Sequence, residues 1–177
     1  MKLFIVRHGE TDANQQRILQ GHMASRLTDN GWEQARQAAS NLVDRGASSC
    51  TVIVSSDLKR AMDTAGVIAG VLHLPVTSTS MLRERDWGTS TGMPIAEARE
   101  RYYRDGHWQF PESTETEEQI QDRARRCLAM LSEQYAGQDL VVVTHGQLAR
   151  YMIAAHFNCP LSEVTHMVNG EIRVLTI

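Results

Sequence analysis

The 177-residue chain lacks several features that would place it in a specialised class of protein. No apolar run approaches the ~20 residues that a membrane-spanning helix needs. The formal net charge is only −3, so we expect neither nucleic acid nor an anionic membrane surface as a partner. The apolar run Leu3–Val6 is shorter than the core of a secretory signal peptide, and polar residues follow it directly.

Cysteine is also scarce, with three dispersed residues and no Cys-x-x-Cys pair: Cys50, Cys127 and Cys159. This count predicts reduced thiols and a cytoplasmic protein rather than a disulfide framework. The glycines of the chain form neither a P-loop nor a dinucleotide-binding fingerprint. Internal repeats, linkers and low-complexity tracts are absent as well. We therefore expect a single domain over residues 1–177.

Strand patterns and helix patterns alternate along the chain. Apolar, mostly β-branched runs predict four strands, at residues 3–6, 51–54, 75–77 and 140–143. Apolar residues at helical spacing predict helices at residues 32–43, 58–72, 120–135 and 148–155. This alternation predicts an α/β fold, a three-layer αβα sandwich around a mainly parallel sheet. The turn signal Asn169-Gly170 predicts a closing edge strand after it.

Residues 80–114 are the least regular part of the chain, rich in charge, glycine, tryptophan and tyrosine. The segment is too long for an ordinary loop, which predicts a small cap or lid inserted into the domain. After it, Thr114-Glu115-Thr116-Glu117 fits a capping box that would open the next helix.

Two histidines lie where strands are predicted to end. His8, with Arg7 before it, follows the first strand, and His145 follows the strand at 140–143. The carboxyl ends of parallel strands meet at one edge of a sheet, which is where such sheets bind ligands. Arg60 is in the first turn of a predicted helix, so its side chain is expected to point back toward the same edge.

These residue types together suggest chemistry on an anion. Arginine presents forked donors that match phosphate oxygens, and the helix after His145 offers an N-terminus that favours an anion. A neutral histidine is a competent nucleophile, and phosphoryl transfer needs mainly positioning and charge stabilisation. Taken alone, the two histidines could instead cap strands or bind a metal, although nearby arginines disfavour a cation.

Four blocks of the sequence resemble the histidine phosphatase superfamily, the phosphoglycerate-mutase-like proteins. They are LFIVRHGET with Asn14, SSDLKRAMDTA at 55–65, Leu82-Arg83-Glu84 with Trp87-Gly88 and Gly92, and VTHG at 143–146 with Arg150. The blocks occur in the family's order and span nearly the whole chain. The resemblance implies an α/β fold, a small phosphorylated metabolite as substrate, and neither a metal nor an organic cofactor.

The resemblance also implies roles for individual residues. The implied catalytic residues are His8, Glu84 and His145. The residues implied to bind the phosphoryl group or the substrate beside it are Arg7, Arg60, Asn14, Gln20, Gly21 and Gly146. His8 would become phosphorylated, whereas Glu84 would protonate the leaving oxygen and then activate water. A carboxyl group suits that role where a lid excludes water, and Trp87 is a candidate for such a lid.

Position 95 distinguishes subclasses within the family. The mutases carry a lysine there, whereas this chain has Ile95, which favours hydrolysis of a phosphomonoester. One alternative is a cofactor-dependent phosphoglycerate mutase in which Arg85, or the cluster Arg99, Arg101 and Arg104, replaces the lysine. The other is a phospho-ligand-binding protein that has lost turnover. The sequence determines neither the natural substrate nor the oligomeric state, for which a homodimer stays one alternative.

Overall fold

The computed structural model describes residues 1–177 and contains a five-stranded sheet with a separate two-stranded hairpin. The strands in chain order are β1 (Lys2–Arg7), β2 (Val52–Ser56), β3 (Val76–Thr79), β4 (Tyr103–Arg104), β5 (His107–Trp108), β6 (Leu140–Thr144) and β7 (Ile172–Thr176). The large sheet has the order β3-β2-β6-β1-β7, and only β7 runs antiparallel to its neighbour. The small hairpin is formed by β4 and β5.

Helices cover both faces of the large sheet. They are α1 (Asp12–Gln15), α2 (Asp29–Asp44), α3 (Lys59–Leu72), α4 (Ile95–Tyr102), α5 (Glu117–Gln134) and α6 (Gly146–Phe157). None of these helices combines the length and the apolar character that crossing a membrane requires.

Alternation of side chains along the strands creates two hydrophobic cores. From β1, Leu3 and Ile5 enter the core shared with α5 and α6, whereas Phe4 and Val6 enter the core shared with α2 and α3. All four side chains are at most 2% exposed. The predicted α/β architecture, with helices on both faces of a mainly parallel sheet, is therefore confirmed.

One local prediction differs from the structure. The capping box that opens α5 is formed by Thr116 and Gln119, not by Thr114 and Glu117. Thr114 is instead buried, and its hydroxyl donates to the carbonyl of Trp87. The edge strand predicted after the turn at Asn169-Gly170 is confirmed as β7, which lies at the edge of the large sheet and pairs antiparallel with β1.

Residues 80–114 contain two short 3₁₀ turns, helix α4 and the β4–β5 hairpin. Backbone hydrogen bonds join this segment to the loop after α1, from Leu19 to Met93 (2.9 Å) and from Ile95 to Arg17 (2.8 Å). The division of the chain into one domain with this segment as a cap stays a prediction.

Candidate active site

The register of the central strands brings the two predicted histidines together. Arg7 of β1 and Thr144 of β6 are direct partners in the parallel pair, so His8 and His145 leave the sheet side by side. The amide of His8 donates to the carbonyl of Thr144 at 3.0 Å. The two imidazole rings lie with their centroids 5.1 Å apart, at the sheet edge where the sequence places them.

His8 is held as a neutral imidazole with one nitrogen free. Its side chain is buried, and Nδ1 lies 2.7 Å from the carbonyl oxygen of Gly9. Since a carbonyl only accepts, Nδ1 carries the proton and Nε2 keeps its lone pair. Burial, followed by the charges of Arg60 and Arg7, lowers the pKa of His8 well below 6.5. At neutral pH this ring can therefore act as a nucleophile.

His145 is oriented by a residue that the sequence reasoning missed. Its Nε2 lies 2.8 Å from the hydroxyl of Ser56, and that hydroxyl also accepts from the amide of Leu58 at 3.3 Å. We assign the Ser56 hydroxyl as the donor to Nε2, because it then both accepts from Leu58 and donates to His145. Nδ1 of His145 therefore carries the proton. Burial, followed by the charges of Arg60 and His8, lowers the pKa of His145 well below 6.5.

Two arginines complete the inner part of the site. Arg60 is 2% exposed and donates to the carbonyls of Gly21 (2.8 Å) and Met23 (3.2 Å). Arg7 donates to the carbonyl of Met167. Burial lowers the pKa of Arg60 to about 10, so that it stays charged at neutral pH.

Three buried N–H groups of these side chains have no hydrogen-bond partner in the protein: Arg7 Nε, Arg60 Nε and His145 Nδ1. Leaving a buried donor unpaired costs about 1–3 kcal/mol, and native proteins rarely accept that cost without a functional reason. Three such donors beside a nucleophilic imidazole suit an anion with several acceptor oxygens, such as a phosphoryl group.

The structure brings most of the other predicted phosphate-site residues to the same pocket, which is about 490 Å³ in volume. Asn14, Gln20 and Gly146 line it. A Cβ atom on Gly146 would lie 3.3 Å from Arg7 Nε, so glycine here lets Arg7 lie close to the start of α6. Gly21 does not line the pocket but holds Arg60 through its carbonyl.

Glu84 lines the pocket, and its carboxylate lies at the N-terminus of α6. Oε1 accepts from the backbone amides of Arg85 (2.9 Å), Gln147 (3.2 Å) and Leu148 (3.3 Å). The backbone carbonyl of Glu84 accepts from His22 at 2.8 Å. Glu84 is therefore anchored to the helix that begins directly after His145.

Several pocket residues were not found from the sequence. They include Trp108, Phe110, Gln147, Tyr151, His166 and Met167. Asn169 was read only as a turn residue, yet its amide donates to the carbonyl of His8 and to the side chain of Asn14. No sequence pattern marks most of these residues, because segments distant in sequence, among them β5 and α6, bring them to the pocket.

At this edge of the sheet two neutral histidines lie beside Arg7, Arg60 of α3 and the carboxylate of Glu84. Such a group of side chains defines an enzyme site for an anionic group. The model of the histidine phosphatase superfamily (branch 1) matches residues 3–177, and the chain belongs to this family. The predicted resemblance is thereby confirmed.

Similar proteins point to the same class of enzyme. PhoE of Bacillus subtilis, named an uncharacterized phosphatase, is 38% identical over 142 residues, which are 80% of this chain and 70% of that protein. The broad-specificity phosphatase YOR283W of Saccharomyces cerevisiae is 33% identical over 159 residues, covering 86% of this chain and 69% of that protein.

A solved structure of mycobacterial glucosyl-3-phosphoglycerate phosphatase in complex with VO3 resembles the present fold with a TM-score of 0.85 and 29% identity. The match covers 99% of this chain and 92% of that one. The chain is thus an enzyme of the phosphomonoesterase class within the histidine phosphatase superfamily.

Proposed function

We propose that the protein hydrolyses phosphomonoesters of small metabolites without a metal, through a phosphohistidine intermediate on His8. The observation that carries this proposal is that Arg7, Arg60 and His145, each with a buried donor that has no partner in the protein, surround a neutral His8. The donors supply the charge stabilisation that phosphoryl transfer requires, and His8 supplies the nucleophile.

The reaction proceeds in two transfers. First, Nε2 of His8 attacks phosphorus and an N–P bond forms, while the bond from phosphorus to the leaving oxygen breaks. Protonated Glu84 gives its proton to that oxygen, and Arg7, Arg60 and His145 donate hydrogen bonds to the phosphoryl oxygens. Second, water attacks phosphorus and gives a proton to Glu84, the N–P bond breaks, and phosphate and His8 are released.

The side chain at position 95 supports hydrolysis over mutase chemistry. Ile95 lines the pocket, where it offers neither charge nor a donor to a second anionic group of a substrate. The cluster of Arg99, Arg101 and Arg104 is exposed and does not line the pocket. Of the four arginines considered as replacements for the mutase lysine, only Arg85 lines the pocket.

The complete catalytic set argues against a phospho-ligand-binding protein without turnover. Such a protein needs the phosphate-binding arginines but has no use for the nucleophile His8 or the acid Glu84. The structure brings no three His, Cys, Asp or Glu side chains together in a metal-binding arrangement. Metal independence is part of the proposal, and chelation with EDTA tests it.

Two activities measured on one preparation test the proposed function. We expect inorganic phosphate to be released from simple monoesters, with negligible interconversion of 3- and 2-phosphoglycerate even when 2,3-bisphosphoglycerate is present. Chelation with EDTA should leave phosphate release unchanged. Mutase turnover above phosphatase turnover would contradict the proposal, as would loss of activity in EDTA that a divalent cation restores.

A further inference from the structure

Two chemically different groups of residues line the active-site pocket. The phosphoryl-binding side chains are buried, with His8 and Arg60 each only 2% exposed. Residues 87–110 contribute three aromatic rings, Trp87, Trp108 and Phe110, which we call the aromatic wall. Trp108 is 40% exposed, so the aromatic wall reaches the solvent side of the pocket. The two phosphoryl transfers use none of these rings.

The rings of the aromatic wall are fixed by one another. Phe110 stacks on Trp108 with an interplanar angle of 7° and a centroid distance of 5.0 Å, and it contacts Trp87 at 5.0 Å. The guanidinium of Arg85 lies 4.7 Å from the Trp87 ring centroid, and its Nε donates to the carbonyl of Glu115. The wall is therefore a pre-organised apolar surface, which binds a flat group with little loss of side-chain entropy.

Aliphatic side chains extend this apolar surface. Ile18, Leu19 and Ile95 also line the pocket. Backbone hydrogen bonds hold the two chain segments together, because Leu19 donates to Met93 and Ile95 donates to Arg17. The apolar lining of the pocket therefore comes from two chain segments, the loop after α1 and the segment that contains α4 and the aromatic wall.

One charge near the wall, that of Glu117, disfavours a leaving group that carries a second anion. Glu117 lines the pocket, and its carboxylate repels a carboxylate or phosphate placed there. Arg85 is 7% exposed, and the rings of Trp87 and Phe110 lie against it at 4.7 and 5.7 Å. Arg150 also lines the pocket, but its Nε and Nη2 donate to the carbonyls of Val164 and Leu161, so these two donors are not available to an anion.

We propose that the aromatic wall binds the leaving group, and that the substrates are phosphomonoesters whose leaving group presents a flat aromatic or apolar face and no second anion. This inference rests on the proposed phosphatase function. It goes further by specifying the class of leaving group.

Matched esters of unactivated alcohols test the inference, because their leaving oxygens need the same help from an acid. We expect kcat/KM for 2-phenylethyl phosphate to exceed that for ethyl phosphate by at least about tenfold, and 3-phosphoglycerate to be the poorest of the three. In Trp108→Ala the ratio of the two esters should fall about tenfold. In Ile95→Lys the preference should shift toward 3-phosphoglycerate.

Phe157→Ala is the matched control, since this aromatic side chain is 62% exposed on α6 and does not line the pocket. It should leave the ratio of the two esters unchanged. Equal kcat/KM values for the two esters, or a ratio that Trp108→Ala does not alter, would overturn the inference while leaving the phosphatase function intact. Failure to release phosphate from either ester would instead refute the phosphatase function, and the inference with it.

Discussion

Glu84 is the residue whose proton transfers begin and end the proposed reaction. In Glu84→Gln we expect kcat for alkyl phosphates to fall by about 10²–10⁴-fold, because an alkoxide needs a proton as it leaves. Aryl phosphates with good leaving groups should lose much less in the first transfer. Single-turnover release of the alcohol or phenol measures that step separately from hydrolysis of the phosphohistidine.

Glu117→Gln is the control for this variant, because it also removes a carboxylate from the pocket lining. We expect Glu117→Gln to change kcat for alkyl phosphates and for aryl phosphates by the same factor. If Glu84→Gln slows alcohol and phenol release equally, Glu84 positions the substrate or supports α6 and does not act as the acid.

The meeting of His8 and His145 was predictable from the sequence, whereas the hydrogen-bond partners of these histidines were not. His8 and His145 follow apolar runs that read as buried strands, so their meeting at one edge follows from general sheet geometry. The bond from Ser56 to His145 depends on the β2–β6 pairing, in which Ser55 lies opposite Val143. The contact of Asn169 with the His8 carbonyl depends on how the last loop folds back. No local sequence pattern predicts either of these two hydrogen bonds.

The loop that carries His8 is held against the start of α2 by two glycines. A Cβ atom on Gly31 would lie 2.0 Å from the carbonyl oxygen of Glu10, and one on Gly9 would lie 2.3 Å from the carbonyl oxygen of Gly31. Gly9 also donates to Thr64 and accepts from the His8 ring. Glycine at these positions therefore permits a close backbone approach that positions His8.

Gly31→Ala should destabilise the protein and displace the His8 loop. We expect the free energy of unfolding to fall by about 1–3 kcal/mol, because either backbone must move to admit the methyl group. Urea denaturation measures this change, and kcat should fall in parallel. In contrast, Gly66→Ala on the exposed side of α3, where a Cβ meets nothing within 4 Å, should raise stability by up to about 1 kcal/mol. Unchanged stability and kcat in Gly31→Ala would refute this account of the loop.

At the level of elements, the strands and long helices were predictable because hydrophobic periodicity determines them. The start of α5 was not predictable in this way, because the sequence offers two capping boxes. Thr114 is followed three residues later by Glu117, and Thr116 is followed three residues later by Gln119. The structure uses Thr116 because Thr114 is occupied by its hydrogen bond to Trp87, a tertiary contact that local pattern does not contain.

For the molecule as a whole, two buried neutral histidines make stability depend on pH. The pKa values of His8 and His145 lie well below 6.5 in the folded protein, while the unfolded chain binds protons near 6.5. Their contribution is fully present above about pH 6.5 and is lost as the pH falls below it, because only the unfolded chain gains protons there. The free energy of unfolding should decline by up to about 1.4 kcal/mol per pH unit for each histidine.

Urea denaturation between about pH 7.5 and 5.5 measures this slope. His145→Gln should reduce the slope by the share of one histidine, whereas His107→Gln, which removes an exposed histidine in β5, should leave it unchanged. A wild-type stability that is constant or rises as the pH falls over this range would contradict the assignment of two neutral buried imidazoles.

The most direct test of the central claim is to identify the residue that carries phosphate during turnover. Brief incubation with a phosphomonoester, followed by quenching without acid and peptide mapping, should locate the phosphoryl group on His8. The adduct should be labile to acid and stable to alkali. His8→Ala should abolish both labelling and turnover, while His107→Ala should keep both. Phosphate on a serine or an aspartate, or full activity in His8→Ala, would contradict the account.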